Sequence, residues 1–183
     1  MNLYLRLLLL IARIRTIKQF ITLEQASHMH FRVWPHDCDI NLHLTNSRYL
    51  GMMDLGRTWM LAEMGQLSSV VKRGWKVIMN AQEISYIREL SPFQKFTLET
   101  RMVGWDEKYF YVEQRFVSGG KLYAIAHVRG LFIHKRKAVA MGEVLDHLEQ
   151  SQGSQSPRIN QPPQIIAWKQ LLEQKKQASL QQA

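Results

Sequence analysis

The sequence predicts an α+β fold in which one long helix is wrapped by a curved antiparallel sheet. Asn46–Met64 is a proline-free, methionine-rich stretch with the length and apolar content of a helix. Between Val77 and His134 the apolar residues alternate with a period of two, interrupted by short polar turns, which is typical of antiparallel strands. Because the apolar surface of the helix is broad, a sheet closed around it would solve the burial problem.

Length and composition indicate an ordinary globular protein with a substantial core. The chain has 183 residues, 46% apolar and 21% charged, so it suits one domain with short appendages. Lys and Arg number 24 against 15 Asp and Glu, and the net charge of +9 favours anionic partners such as phospholipid surfaces or coenzyme A. We expect no nucleic-acid partner, since no basic run is interleaved with aromatic residues. The single Cys38 excludes an internal disulfide and favours a reducing compartment, which we expect to be the cytoplasm.

The N-terminal residues 1–24 are expected to form a basic, apolar helix. Arg6 and Arg13 bracket the apolar run Leu7–Ala12, which is too short to cross a bilayer core that needs about 20 residues. The only acidic residue of this segment is its last, so residues 1–20 suit peripheral contact with an anionic membrane surface. The alternative is a helix that packs its leucines on the protein body or on a second subunit.

Residues 25–150 are expected to form the main domain. A strand over His28–Trp34 leads through a polar turn into the helix Asn46–Met64, which a polar connector, Gln66–Gly74, follows. Ser118-Gly119-Gly120 predicts a hairpin turn inside the strand meander. The predicted strands of that meander are Val77–Arg88, Phe96–Trp105, Tyr109–Val117, Lys121–His134 and the short Ala138–Met141.

The last residues, 151–183, are expected to form a linker and a terminal helix. A short helix over Gly142–Gln150 precedes them. Ser151–Pro163 is rich in Ser, Gln and Pro, a composition typical of linkers. Ile165–Gln177 then reads as a helix, with Trp168 available to anchor it on the body.

A polar turn directly before the long helix carries the candidate chemistry. Asp39, Asn41 and His43 occupy alternate positions, so in an extended segment their side chains would project from one side and converge on one ligand atom. The helix can be capped by any of residues 45–47, and its first N–H groups would lie beside those side chains. That combination can act on a carbonyl group.

Each of these residues also has a purely structural interpretation. Asp39 can cap the turn by accepting hydrogen bonds from nearby backbone N–H groups, Asn41 suits a left-handed turn conformation, and a histidine near a helix start is often structural. Asp37 is interpreted as a structural partner of the loop. Cys38 has the opposite side-chain parity to Asp39 in an extended segment, so we expect a small packing residue that points away from the site.

Histidines near the turn invite a metal hypothesis, because nitrogen and sulfur ligands suit zinc. His28 and His30 would share one strand face, and His36, Cys38 and His43 follow. Because the paired spacings of known zinc sites do not occur among them, we expect no metal and no other cofactor.

With these elements assigned, the sequence resembles the hotdog-fold thioesterases, in particular the 4-hydroxybenzoyl-CoA-thioesterase-like branch and the small thioesterase-superfamily-member proteins. The likeness rests on the turn motif Asp-x-Asp-x-Asn-x-His-x-x-Asn-x-x-Tyr, which runs from Asp37 to Tyr49. It also includes Arg32-Val33, Asn46-Ser47-Arg48-Tyr49-Leu50, Gly104-Trp105-Asp106 and Phe110-Tyr111-Val112-Glu113. The whole likeness extends from Phe31 to His134.

Plant acyl-carrier-protein thioesterases share part of this pattern. Their catalytic Asp-x-Asn-x-His is similar to the segment Asp39–His43. Their Tyr-Arg-Arg-Glu-Cys strand is similar to Tyr86–Leu90, which puts Glu89 where a catalytic glutamate sits. Leu90 replaces the cysteine of that strand, so a thiol nucleophile at this position is excluded.

The resemblance implies an acyl-thioester hydrolase of fatty acid metabolism that releases a free acid from an acyl-CoA or an acyl-carrier-protein (acyl-ACP). Asp39 would act as the general base or as the nucleophile. Asn41 would orient substrate or water, and His43 would polarise the carbonyl or a water. The N–H groups at the helix start would stabilise the oxyanion.

Further roles also follow from the resemblance alone. Glu89 would be a second base, acting with Asp39 or instead of it, and Asn46 and Tyr49 of the motif would bind substrate. The family implies a homodimer or a dimer of dimers with the site at the subunit interface. The main alternative is a non-catalytic hotdog protein that binds acyl chains or membrane.

Overall fold

An antiparallel sheet of six strands, curled around one long helix, forms the centre of the computed structural model, which describes residues 3–17, 20–152 and 159–181. The strand order is β1-β3-β4-β5-β2, and β6 pairs with β5. The helices are α1 (Leu3–Ile14), α2 (Asn46–Glu63), α3 (Leu67–Lys72), α4 (Met141–Gln152) and α5 (Pro163–Leu180). The strands are β1 (Ser27–Arg32), β2 (Lys76–Tyr86), β3 (Lys95–Trp105), β4 (Phe110–Ser118), β5 (Lys121–His134) and β6 (Lys137–Ala138). The predicted fold class is confirmed.

The helix α2 approaches the sheet so closely at Gly56 that a larger side chain there would crowd β3. A Cβ atom on Gly56 would lie 2.7 Å from Leu98 Cδ2 and 3.0 Å from Thr100 Oγ1, both on β3. Met52 and Met53 of α2 are fully buried and pack in the same cluster as Leu98. This close contact fixes the position of α2 along the strands.

A buried polar cross-link joins α2 to the middle of the sheet. Asp54 and Arg57, whose spacing predicts a modest surface pair, do pair, but the Arg57 side chain is buried. Its second guanidinium nitrogen donates a 2.6 Å hydrogen bond to Gln114 Oε1 on β4. Gln114 in turn donates 3.0 Å hydrogen bonds to the carbonyl of Met53 and to Thr100 Oγ1. Every one of these buried polar groups therefore has a partner, as burial requires.

The outer face of the sheet is covered by α5 and carries an ionic network. Ile165 and Trp168 of α5 are buried against Val103 and Tyr111. Side-chain alternation places Glu113 on this face, since its neighbour Gln114 points to α2. Glu113, Arg101, His127 and Glu83 form a connected set: Arg101 Nη2 lies 2.6 Å and His127 Nε2 3.4 Å from the Glu113 carboxylate, and His127 Nδ1 lies 2.7 Å from Glu83 Oε1.

The helix α1 is attached to the protein body by the side that carries Arg6. The Arg6 side chain is buried and donates a hydrogen bond to the carboxylate of Asp37, which is fully buried. Leu10 packs beside it against Met29 and Leu55. The outward side of α1 carries the exposed apolar residues Tyr4, Leu5, Leu7, Leu8, Leu9 and Ile11. The sequence alone leaves open whether the leucines of this helix face a membrane or pack on the protein. Leu10 packs on the protein body, but most of the other leucines of α1 are exposed.

Several boundaries differ from the sequence prediction. The predicted connector Gln66–Gly74 contains α3, which forms because Val70 is buried in the core. The strand predicted over Val77–Arg88 ends at Tyr86, so Glu89 lies in the loop that follows β2 and not in a strand. The last strand is Lys137–Ala138, and Met141 already begins α4.

The predicted hairpin turn at Gly119-Gly120 is present, with φ angles of 55° and 74°, as a tight turn between antiparallel strands requires. In the part of the chain that the structure describes, no helix is long and apolar enough to cross a membrane. Residues 153–158 of the predicted linker and residues 1–2, 18–19 and 182–183 lie outside the described residues.

The contact at Gly56 generates a stability prediction. We expect Gly56→Ala to lower the free energy of unfolding by about 1–3 kcal/mol, because overpacking outweighs the gain in helix propensity. Gly142→Ala in α4, where a Cβ would meet nothing within 4 Å, serves as the matched control and should be neutral or stabilising. Urea unfolding followed by circular dichroism measures both. Equal effects of the two substitutions would contradict the close approach.

The network on the outer face generates a pH prediction. The hydrogen bond to Glu113, followed by that to Glu83, raises the pKa of His127 above its ordinary 6.5. A group with a raised pKa stabilises the fold fully below its ordinary pKa and loses that contribution as the pH rises through the raised value. As the pH rises from 6.5 through the raised pKa of His127, wild-type stability should therefore fall more steeply than that of His127→Gln.

His28→Gln, an exposed substitution on β1, is the control and should keep the wild-type slope. The measurement is the unfolding free energy across a pH series for the three proteins. Parallel curves for wild type and His127→Gln would show that the network contributes nothing to the pH dependence.

Candidate active site

The polar turn before α2 is a closed loop and not an extended segment. Cys38 and Leu44 form an antiparallel bridge, and the Asp39 N–H donates a 3.1 Å hydrogen bond to the His43 carbonyl. Leu42 adopts a φ of 59°, in the left-handed region that branched residues rarely visit. The expectation that alternate residues share one side is therefore wrong here, because the backbone turns between Asp39 and His43.

The closed loop nevertheless brings Asp39 and His43 together. Asp39 Oδ1 lies 3.7 Å from His43 Nδ1, and it accepts a 2.9 Å hydrogen bond from the Asn41 N–H. Asp39 therefore performs the turn-capping role considered for it and still faces the histidine. Asn41 joins the pair through its backbone, and its side chain is exposed.

A cleft of about 330 Å³ opens beside the start of α2. Four of the predicted site residues line it, namely His43, Asn46, Tyr49 and Glu89. Asp39 is not among the lining residues and borders the cleft through its contact with His43. The 2.9 Å hydrogen bond from the Leu44 N–H to the Leu90 carbonyl holds the turn against the loop that carries Glu89. The structure thus brings Glu89, weakly indicated by sequence, into the same cleft as His43.

Tyr49 closes the inner side of the cleft. Its ring is buried and lies edge-on to Tyr86, with centroids 5.0 Å apart, and 4.8 Å from the ring of Phe116. Burial, helped by the nearby Tyr86 and Glu89, raises the pKa of Tyr49 to about 12. The hydroxyl therefore stays protonated at neutral pH and can donate a hydrogen bond.

The start of α2 has free donor capacity. Thr45 is the N-cap residue, but its side chain makes no capping hydrogen bond. The Arg48 N–H donates a 2.9 Å hydrogen bond to the Thr45 carbonyl. The N–H groups of Asn46 and Ser47 before it have no acceptor within the helix, and Asn46 lines the cleft. Such donors, together with the positive end of the helix dipole, can stabilise negative charge.

The buried carboxylate of Asp37 supports the turn from behind. Its Oδ2 accepts hydrogen bonds from Arg6 and, at 3.0 Å, from the Trp34 N–H, and its Oδ1 lies 3.6 Å from Arg48 Nε. The carbonyl of Asp37 accepts a 3.0 Å hydrogen bond from the Thr45 N–H. Asp37 fits the structural role expected for it, but the sequence analysis missed Arg6 as its partner.

Three further observations complete the description of the site. Arg88 also lines the cleft and was not selected from the sequence, although it directly precedes Glu89. Cys38 packs against the core cluster around α2, with its Sγ 3.6 Å from the Trp34 carbonyl, which agrees with a packing role. Among the described residues, no three His, Cys, Asp or Glu side chains lie close enough together to hold a metal ion.

Comparisons with known proteins agree on one family. A family model described as the thioesterase-like superfamily matches residues 33–148, more than half of the chain. The chain is 40% identical over 86 residues to Protein THEM6 of Xenopus laevis, covering 47% of this chain and 42% of that protein. It is 27% identical over 116 residues to the probable thioesterase YBR096W of Saccharomyces cerevisiae, covering 62% of this chain and 50% of that protein. The chain spans about half the length of these curated relatives.

Solved structures agree on the fold. The Staphylococcus aureus protein SAV2348, solved in complex with CoA, superposes with a TM-score of 0.61 at 19% identity, covering 79% of this chain and 94% of that one. A likeness at this level of identity shows the fold alone. The fold is the hotdog fold that the sequence resemblance implied, and the chain belongs to the thioesterase-like superfamily.

Proposed function

We propose that this protein is an acyl-thioester hydrolase that releases a free acid from an acyl-CoA or acyl-ACP. The observation that carries the proposal is the cleft in which His43 and Glu89 lie beside the uncapped start of α2. Thioester hydrolysis needs a group that activates water or attacks carbon, and donors for the developing oxyanion. The cleft offers both, and the family supports this chemistry.

We consider two routes, one through a water in the cleft and one through the Asp39 carboxylate, which borders the cleft. In the water route, a carboxylate takes a proton from water while the water oxygen bonds to the carbonyl carbon, the C–S bond then breaks, and the proton passes to the departing thiolate. In the nucleophile route, the Asp39 carboxylate bonds to the carbonyl carbon and the thiolate leaves, after which water cleaves the anhydride. In both, N–H groups of α2 stabilise the oxyanion, and His43 polarises the carbonyl or the water. Glu89 serves as a second base or replaces Asp39.

The proposal includes the carrier and the assembly. A CoA-type substrate is supported by the CoA complex of the structurally similar SAV2348. A homodimer, or a dimer of dimers, is supported by the position of β2 at the edge of the sheet, where Ile78 and Tyr86 are exposed. An unpaired edge strand of this kind is a natural place for a second copy to pair. We place the protein in the cytoplasm, peripheral to a membrane.

Thiol release tests the hydrolase. We expect wild type to release thiol from at least one of a panel of short, long and aromatic acyl-CoAs or acyl-ACPs. Asp39→Asn and Glu89→Gln should each be assayed, and loss of the working base should lower kcat by about 100-fold or more. Asp146→Asn, on the exposed side of α4, is the matched control and should keep full activity. Circular dichroism verifies that each variant is folded.

The outcomes distinguish the two routes from each other and test the hydrolase proposal itself. Loss in Glu89→Gln alone would assign the base to Glu89, and trapping of an acyl-enzyme on Asp39 would assign the anhydride route. No release from any carrier by folded wild type would contradict the hydrolase.

A second candidate function, a non-catalytic protein that binds acyl chains or membrane, is favoured by α1. Its outward side exposes Tyr4, Leu5 and Leu8 by 74%, 47% and 63%. Exposed apolar patches of this kind usually mark contact sites. Arg13 and Arg15 follow, and no acidic residue occurs among residues 3–17. Apolar residues flanked by arginines match an anionic lipid surface, and such contact is compatible with hydrolysis as well.

Vesicle sedimentation tests the lipid contact. Wild type should bind vesicles containing phosphatidylglycerol. A Leu5→Ser/Leu8→Ser variant should bind at least tenfold more weakly, because it lacks the two apolar side chains that would enter the lipid. The control is Leu171→Ser, an equally exposed leucine on α5, which should bind like wild type. If the double variant bound vesicles normally but halved the particle mass in light scattering, α1 would contact a second copy and not lipid.

A further inference from the structure

A second cavity, also of about 330 Å³, lies at the other end of α2. It is bounded by the C-terminal half of α2, by strands of the sheet and by α4. The residues around it and those around the active-site cleft have none in common. Tyr49 in the cleft and Met60 in the cavity are 11 residues apart on α2, which corresponds to about 16 Å along the helix axis.

The polar cross-link of α2 lies between Tyr49 and Met60 along the helix. Between α2 and the sheet, Gln114 accepts a hydrogen bond from Arg57 and donates to Thr100 Oγ1 and to the carbonyl of Met53. Breaking such buried hydrogen bonds leaves polar groups unsatisfied, which is costly. An acyl chain bound in the cleft therefore does not continue into the cavity without disrupting this link. The cavity is a site of its own.

The lining chemistry selects a hydrocarbon ligand. Apolar side chains dominate, and five of the nine methionines of the chain face the cavity, namely Met60, Met64, Met79, Met102 and Met141. Methionine is flexible and adapts to irregular ligands. Polar groups at the wall are already used within the protein: Arg57 bonds Gln114, the Thr58 hydroxyl donates to the Asp54 carbonyl, and His147 bonds Ser69. A polar ligand would have to compete for these partners.

The size is sufficient for a chain. Ligand sites commonly have volumes of about 300–1,000 Å³ with mainly apolar linings. An apolar cavity of about 150 Å³ already binds benzene. The cavity described here has about twice that volume, which suits a hydrocarbon chain of medium length.

One edge of the cavity carries positive charge. The Arg73 guanidinium lies 5.1 Å from the ring centroid of Trp75, which lines the cavity. His147, on α4, also lines the cavity. Burial lowers the pKa of His147, and the nearby Arg73 lowers it further. An anionic head group placed at this edge would meet Arg73 while its chain entered between the methionines.

We propose that the cavity under α4 is a second ligand site, which binds a free medium-chain fatty acid with its chain inside and its carboxylate at Arg73. Met141, Val144 and Leu145 of α4 cover the chain. The proposal does not depend on the hydrolase activity, because the cavity and the cleft are built from different residues.

Binding of dodecanoic acid and of dodecanol, measured by calorimetry and by tryptophan fluorescence below the micelle concentration, tests the proposal. Trp75 and Trp105 line the cavity and report on its occupancy. Val144→Phe fills the cavity and should weaken dodecanoic acid binding at least tenfold. Val71→Phe is the matched control, since Val71 is exposed on α3 and should leave binding unchanged. Leu145→Phe provides a second filling variant if Val144→Phe does not fold.

Arg73→Gln tests the head group. It should weaken dodecanoic acid a few-fold and leave dodecanol unaffected, and wild type should prefer the acid. Equal binding of acid and alcohol would overturn the role of Arg73. Absence of binding to folded wild type, or normal binding to both filling variants, would overturn the site.

Thiol release separates this inference from the proposed function. Asp39→Asn should bind dodecanoic acid like wild type, and Val144→Phe should release thiol like wild type. Loss of thiol release in folded Val144→Phe would show that the cavity serves the acyl chain of the hydrolase, and would overturn a separate site. Fatty acid binding without any thiol release would contradict the hydrolase alone.

Discussion

The close packing of α2 on the concave sheet is the constraint on which the rest of the structure depends. Gly56 permits the approach, and the hydrogen bond from Arg57 to Gln114 fixes it at one position along the strands. Because α2 cannot slide, its N-terminus stays beside the loop after β2, where the Leu44 N–H reaches the Leu90 carbonyl. The cleft is therefore a product of helix placement. The same packing leaves space at the other end of α2, so one helix borders two cavities.

Local patterns were sufficient to predict the elements of this fold. The change of hydrophobic period after the connector predicted the meander, and Gly119-Gly120 predicted its tightest turn, because only local backbone preferences are involved. The start of α2 at Asn46 was also predicted, although the N-cap Thr45 makes no side-chain capping hydrogen bond. The end of β2 was not, since the strand stops at Tyr86 although the residues after it continue the pattern. Strand ends depend on pairing with a neighbour, which a single segment does not encode.

Part of the candidate site could be predicted from the sequence. One part of that prediction assumed an extended segment, which the structure does not contain. Asp39 and His43 do lie together, but through a closed loop held by the Cys38–Leu44 bridge and the left-handed Leu42. Glu89 was indicated only by resemblance, and its position in the cleft depends on the fold. The buried polar pairs were beyond any local pattern. Arg6 and Asp37 are 31 residues apart and Arg57 and Gln114 are 57 apart, so their contacts exist only once the chain has folded.

The pairing of Arg6 with Asp37 has a consequence for where the chain can be cut. Removing one partner of a buried ion pair typically costs about 3–5 kcal/mol, because the remaining charge is left in a poor solvent. A fragment trimmed to residues 33–148, the region that carries the family signature, would keep Asp37 but lose Arg6 and the whole of β1. The recognisable part of this sequence is therefore shorter than the part that supplies its stabilising contacts, and we expect fragments that include α1 and β1 to be more stable than residues 33–148 alone.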